Sequence, residues 1–118
     1  MDFSFFLYDR VLFISIKGVL LGLEAEWSLV RLLDDYGLLG INQCVLDISE
    51  LTHANSKGLN VLIKMLTNLD ERQGDMIIMH PSPQVQKLFN ITKLDMIFKI
   101  ASSRYEAMTI LQENQQRQ

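Results

Sequence analysis

The sequence predicts an α/β fold: a mixed, mostly parallel sheet of four to five strands with about four helices, in the order ββαβαβαβα. Three observations predict it. Strand-length apolar runs stand near 3–8, 11–19, 44–48, 76–79 and 97–100. After the first pair, each run is followed by a segment of helical periodicity, which demands crossovers onto a parallel sheet. The first two runs are separated only by Asp9-Arg10, so they form a hairpin and the one antiparallel pair.

The elements follow in order. Phe3 to Tyr8 is dense in aromatic residues that favour strands. In the second strand Val11, Phe13, Ser15 and Lys17 share one face and Leu12, Ile14 and Ile16 the other. From Leu23 to Tyr36, Leu23, Trp27, Val30 and Leu33, with Leu29, Leu32 and Tyr36 beside them, give a helix with a wide apolar face, stopped at Gly37. Cys44 to Ile48 is a short strand buried on both faces. A polar loop leads to a second helix marked by Leu59, Leu62, Leu66 and Leu69, ending near Gly74, with Lys57, Asn60, Lys64 and Asn68 on its opposite face. Met76 to Met79 is a buried strand halted by Pro81 and Pro83; Val85, Leu88 and Phe89 suit a short third helix. Ile97 to Ile100 is a strand, and Ser103 with Glu106 makes a capping-box pattern opening the last helix.

The chain has 118 residues, 48% apolar and 21% charged, and fits one domain over 1–118 with a polar tail that frays from about 113. Its net charge is −3 and its 11 Lys and Arg are scattered, which argues against a nucleic-acid surface. Asp9, Arg10 and Lys17 interrupt the apolar N-terminal stretch, so neither a signal peptide nor membrane insertion is expected. The single Cys44 fits a reducing compartment, and a cytoplasmic location follows by elimination.

The residues that could carry chemistry are few. Ser56, between Asn55 and Lys57 and ahead of Gly58, stands where the second helix begins. Asn55 or Ser56 can cap that helix. The same position offers free N–H groups and a partial positive charge, so a phosphate on Ser56 is well tolerated. Gly58 either lets a partner approach closely or permits tight packing on the sheet. Lys57, Asn60 and Lys64 form a solvated face open to a partner. Asp47 anchors the following loop by accepting from backbone N–H groups. A strand ending in "VLDIS" also resembles the acceptor strand of response-regulator receivers, but those need an acidic pair after the first strand, and Asp34-Asp35 falls late in a helix. His53 and His80 lie outside any metal-ligand spacing, and no metal or other cofactor is expected. Ser56 lacks the GxSxG elbow, and "GVLLG" at 18–22 lacks the Gly-Lys-Ser/Thr ending of a phosphate loop. Nothing in the sequence builds an enzyme active site.

"VLDIS" at 45–49, "NSKGL" at 55–59 and "MIIMHPSPQVQKLFNITKLDMIFKIASSRYEAM" at 76–108 together resemble the STAS domain family of anti-sigma-factor antagonists, over nearly the whole chain. The family pattern is a strand ending in Leu-Asp-Leu/Ile-Ser, a loop, then Asp-Ser-Ser/Thr-Gly-Leu opening a helix. The resemblance implies the STAS (SpoIIAA-like) fold and a partner switch. A GHKL-type serine kinase, often an anti-sigma factor, phosphorylates the first Ser of the motif and releases it; a PP2C-type phosphatase reverses the mark. The matching acceptor is Ser56, and the implied partner surface is Asn55, Lys57, Gly58, Asn60 and Lys64. Asn55 replaces the usual Asp and Lys57 the usual Ser/Thr, which points to a branch whose output need not be a sigma factor, such as the SypA-type regulators of biofilm polysaccharide. Two other classes remain open: a constitutive STAS subunit binding an ABC-transporter ATPase, and a small-ligand-binding STAS module with a pocket near Asp47.

Overall fold

The computed structural model describes residues 1–116, with side chains through 114. Strands β1 (Asp2–Tyr8) and β2 (Val11–Leu20) form the predicted hairpin, paired without a break from Tyr8–Val11 to Asp2–Lys17. Its two-residue turn, Asp9-Arg10, has both φ angles positive, at 51° and 60°. That handedness matches the right-handed twist of the strands it joins.

A turn of 3₁₀ helix (Glu24–Trp27) leads into α1 (Ser28–Gly37). The sequence predicts one helix from Leu23; instead Leu23 is exposed and the regular helix starts five residues later. The buried side chain of Glu26 tightens this entry, as described below. Helix α1 does stop at Gly37, and the chain turns through Gly40, whose φ is +81°.

Strand β3 (Gln43–Ala54) is far longer than the expected 44–48. Its second half pairs in parallel with the end of β2, Gly18 with Leu51 after one register shift and Leu20 with Ala54 after a second. Leu51 and Ala54 are buried, so the polar stretch read as a loop is strand that turns its intervening residues to solvent. Helix α2 (Ser56–Glu71), strand β4 (Asp75–Met79) and helix α3 (Pro83–Thr92) follow close to expectation. Asn68, expected on the solvent face of α2, bonds Asp34 of α1 at 3.2 Å, beside the Arg72–Asp34 ion pair at 2.9 Å.

Another 3₁₀ turn (Leu94–Met96) precedes β5, which runs Lys99–Ala101 rather than 97–100. Phe98 is drawn instead into the core, where its ring lies 5.6 Å from that of Phe89. Helix α4 (Arg104–Gln116) is capped by Ser103, whose Oγ accepts the Glu106 N–H at 3.0 Å. The Glu106 carboxylate accepts from the Ser102 hydroxyl, so only half of the expected capping box forms. The tail expected to fray from about 113 is helical as far as Gln116; residues 117–118 lie outside the described residues.

The sheet order is β1-β2-β3-β4-β5, antiparallel at β1–β2 and parallel beyond. Every strand lies beside its neighbour in sequence. Crossovers of one hand therefore place α1, α2 and α3 on the same face. There Leu29, Leu33, Leu62, Met65 and Phe89 pack on Leu12, Ile14, Leu46 and Ile78. The opposite face carries Phe13, Val45, Ile77 and Met79 under Ala107 and Leu111 of α4. The strand order never reverses, so the crevice used by doubly wound nucleotide-binding sheets does not form.

Candidate functional site

The candidate site is built where β2, β3 and α2 meet. β2 and β3 end together at Leu20 and Ala54, and the Asn55 N–H donates to the Leu20 carbonyl at 3.2 Å. Asn55 is extended, with φ −97° and ψ 179°, and its Oδ1 accepts the Gly58 N–H at 2.8 Å. The N-cap of α2 is therefore Asn55, and Ser56 is the first helical residue.

Gly58 permits this approach. A Cβ on Gly58 would lie 2.0 Å from the Leu20 carbonyl oxygen, a distance no side chain tolerates. Gly58 is buried against the sheet, so it is not part of an exposed partner surface, as the sequence predicts: it seats the helix. Around the helix, Ser56, Lys57, Asn60 and Lys64 fall on one exposed stripe about 100° wide.

A third component was not legible as functional in the sequence. The chain leaving β2 bends at Gly22, with φ +81°, and lies directly on Lys57; a Cβ on Gly22 would fall 2.4 Å from the Lys57 Cβ. Glu26 holds that bend. Its carboxylate accepts the Leu21 N–H at 3.0 and 3.1 Å and the Gly22 N–H at 2.6 Å. At 3% exposure Glu26 is the one buried charged side chain among the described residues. A glycine four residues before a glutamate at a helix entry is the only sequence trace of this arrangement.

Ser56 itself is exposed, and among the described residues its hydroxyl has no hydrogen-bond partner. The N–H groups of Ser56 and Lys57, at the start of a 16-residue helix, are likewise free, and no acidic residue occupies the first turn. The Lys57 ammonium forms no ion pair among these residues. The position is thus locally electropositive and suited to carry an anion covalently. Exposed Leu23 follows Gly22 on one side. On the other, beyond Ala54, a cleft of about 150 Å³ runs between Thr52–His53 and Val85, Leu88 and Ile91 of α3.

Asp47 is not at this site. It lies within β3, opposite Ser15 and Met79, and its Oδ1 accepts the Ser49 N–H at 2.9 Å where the β2–β3 register shifts. It borders a separate hollow of about 70 Å³ on the α4 face with Ser15, Met79 and Arg104. His53 and His80 are not brought together with other ligand-type side chains; among the described residues no group of three or more His, Cys, Asp or Glu is placed to hold a metal ion. No helix there is long and apolar enough to cross a membrane.

The comparisons with known proteins converge. The family model described as STAS domain matches residues 7–107. The chain is 29% identical over 99 residues to BtrV of Bordetella bronchiseptica, provisionally named an anti-sigma factor antagonist, covering 84% of each chain. A Thermotoga maritima protein with the same provisional name is 28% identical over 75 residues, 64% of this chain and 66% of that one. Among solved structures, the crystal structure of an anti-sigma factor antagonist candidate from Thermotoga maritima superposes with a TM-score of 0.82 at 23% identity, covering 93% and 94% of the two chains. The Bacillus cell-fate determinant SpoIIAA in its phosphorylated form superposes with a TM-score of 0.70 at 20% identity, covering 92% and 97%.

Proposed function

The chain belongs to the STAS domain family, and from that premise we propose that it is a partner-switching regulator marked by reversible phosphorylation of Ser56. The observation that carries the reading is the division of labour at 55–58. Asn55 caps α2 and Gly58 seats it, so the Ser56 hydroxyl has no structural task and faces solvent. The two serines that rival it by residue type are engaged: Ser103 caps α4 and Ser102 bonds Glu106.

In the proposed step a partner kinase of the GHKL type supplies ATP. The Ser56 Oγ attacks the γ-phosphorus, the bond to ADP breaks, and the hydroxyl proton passes to a base of the kinase. The product carries nearly two negative charges beside the free N–H groups of α2. The fold tolerates that charge, but an interface formed around the neutral hydroxyl does not. Burying it unpaired weakens such an interface by a few kcal/mol, about a hundredfold or more. The partner surface is the stripe of Lys57, Asn60 and Lys64 with the Asn55 cap, with Leu23 as an apolar contact. A PP2C-type phosphatase restores the hydroxyl. The altered pair Asn55 and Lys57 favours a downstream target outside sigma-factor control, such as biofilm polysaccharide regulation.

Intact-mass and peptide analysis after incubation with the cognate kinase and ATP tests the reading. It should show one phosphate on Ser56 and release of the kinase. A stable, ATP-independent complex with a transporter ATPase, or label on Ser102 or Ser103 instead, would reverse it.

A further inference from the structure

The free edge of the sheet carries a second surface, unrelated to Ser56. β1 ends the sheet, and among the described residues no strand lies on its other side. Edge strands are commonly protected by lysine, proline, a bulge or a cover. β1 has none of the first three: its sequence is DFSFFLY, and it pairs with β2 through seven consecutive positions. Four successive large side chains remain open, Phe5 (45%), Phe6 (47%), Leu7 (47%) and Tyr8 (62%). They alternate between the two faces. Phe5 meets Tyr36 of α1 edge-on, while Phe6 stacks on Phe13 with ring centroids 5.0 Å apart. Phe5 also stacks on Phe3 at 6.5 Å and the Arg104 guanidinium lies 5.5 Å from the Phe6 ring centroid, yet both side chains stay nearly half exposed.

The hairpin fixes which backbone groups are free. Tyr8 and Val11 flank a two-residue turn and exchange both of their hydrogen bonds. Alternation along the ladder then gives Phe6–Phe13, Ser4–Ser15 and Asp2–Lys17 as the other bonded pairs. The N–H and C=O groups of Phe3, Phe5 and Leu7 therefore point outward.

We propose that β1 is a self-association edge, on which a second copy of this chain pairs antiparallel about a two-fold axis at Phe5. In that register Phe5 lies opposite the partner's Phe5 and Phe3 opposite the partner's Leu7. It is the one two-fold register that matches every outward residue of β1 with another outward residue of β1. On one face it makes a continuous ladder of Phe3, Phe5 and Leu7 from both copies. On the other, Phe6 lies opposite the partner's Ser4, whose small side chain leaves room for the ring. Asp2, the only charge in β1, lies opposite the partner's Tyr8, so no like charges meet. The two five-stranded sheets become one. An edge contact of this length buries on the order of 1,000 Å², the lower bound for a specific interface, so the dimer is reversible. Ser56 lies at the far end of β2 and β3 and stays open in both states.

Sedimentation equilibrium over a concentration series reaching roughly the millimolar range should show the mass of wild type doubling. Phe5→Lys and Phe5→Glu, each placing like charges across the axis, should both stay monomeric. An equimolar mixture of the two should dimerise again. A wild type monomeric throughout overturns the proposal and leaves the edge to a strand of another protein. So does a dimer that survives both substitutions, or a mixture that stays monomeric. Phe5 also touches Tyr36, so a readout on wild type stands beside the variants. Amide exchange of Phe3, Phe5 and Leu7 should slow as concentration rises, while that of Ser4 and Phe6 should not change. Concentration-independent exchange at all five amides counts against the pairing.

Discussion

Glu26 accepts the Gly22 N–H at 2.6 Å, and Gly22 in turn lies against Lys57, the neighbour of Ser56. A buried carboxylate on the entry to α1 therefore sets the position of the chain that flanks the start of α2. Replacing Glu26 by Ala leaves the Leu21 and Gly22 N–H groups without their partner in a water-poor site. The expected loss is about 2–3 kcal/mol, read as a lower denaturant midpoint at unchanged slope. Glu26→Gln keeps one acceptor oxygen and should recover part of it. A Glu26→Ala protein as stable as wild type would show that water replaces the carboxylate freely.

Gly58→Ala should reverse the usual sign of its substitution. In an exposed helix interior, Gly to Ala stabilises by about 1 kcal/mol. Here the new methyl would stand 2.0 Å from the Leu20 carbonyl oxygen, a backbone atom. Helix α2 must move off the sheet, at a cost of about 1–3 kcal/mol or more. Thermal and chemical denaturation decide it, and a stabilised variant would sink the seating role given to Gly58.

Cys44 is fully buried, and desolvation pushes its thiol well above the ordinary range. It should resist alkylation until the chain unfolds. The unfolded thiol ionises near about 8.5 while the native one stays protonated, so the unfolded state binds fewer protons above that pH. Stability is then intact below about pH 8.5 and falls above it, by up to about 1.4 kcal/mol per pH unit. Cys44→Ala should flatten that part of the profile. Rapid modification of the native protein at neutral pH is the contrary outcome.

Asn55→Ala and Ser56→Ala should separate the cap from the acceptor. Loss of the Asn55 cap costs about 1 kcal/mol, since its Oδ1 holds the Gly58 N–H. From sequence alone the same cost attaches equally to Ser56, because either residue could cap. With the cap at Asn55, Ser56→Ala should fall within about 0.5 kcal/mol of wild type while abolishing phosphate incorporation. Matched denaturation curves and kinase assays test both halves; a Ser56→Ala protein as destabilised as Asn55→Ala would return the cap to Ser56.

The hairpin and the succession of strands and helices along the chain were legible because charge at Asp9-Arg10 and the spacing of apolar runs act locally. The long β3 was not. Ser49, Glu50, Thr52 and His53 break the apolar run, and only pairing with the end of β2 makes that stretch strand. The start of α2 was readable from its periodicity, with Ser56 on it. Which residue caps, and whether Gly58 serves packing or a partner, depended on a carbonyl from a distant strand. Glu26 escaped for a similar reason: on a helix wheel a glutamate reads as solvent-facing, and only the bend at Gly22 turns it inward.

Ser56→Asp should mimic the modified state in part. Aspartate brings one charge and two oxygens, where phosphoserine brings nearly two charges and three acceptors. The fold should survive, because an acidic residue in the first turn of α2 suits its positive end, and that turn has none. The new carboxylate would sit beside the Lys57 ammonium, which forms no other ion pair among the described residues. Lys57 should screen it, so kinase binding should weaken in Ser56→Asp and weaken further when Lys57→Ala is added. Both are exposed, so the repulsion should shrink as salt rises. Calorimetric titration of the kinase at low and high salt reads these differences. A folded Ser56→Asp protein that binds the kinase as tightly as wild type at low salt would mean that the partner does not read charge at this position.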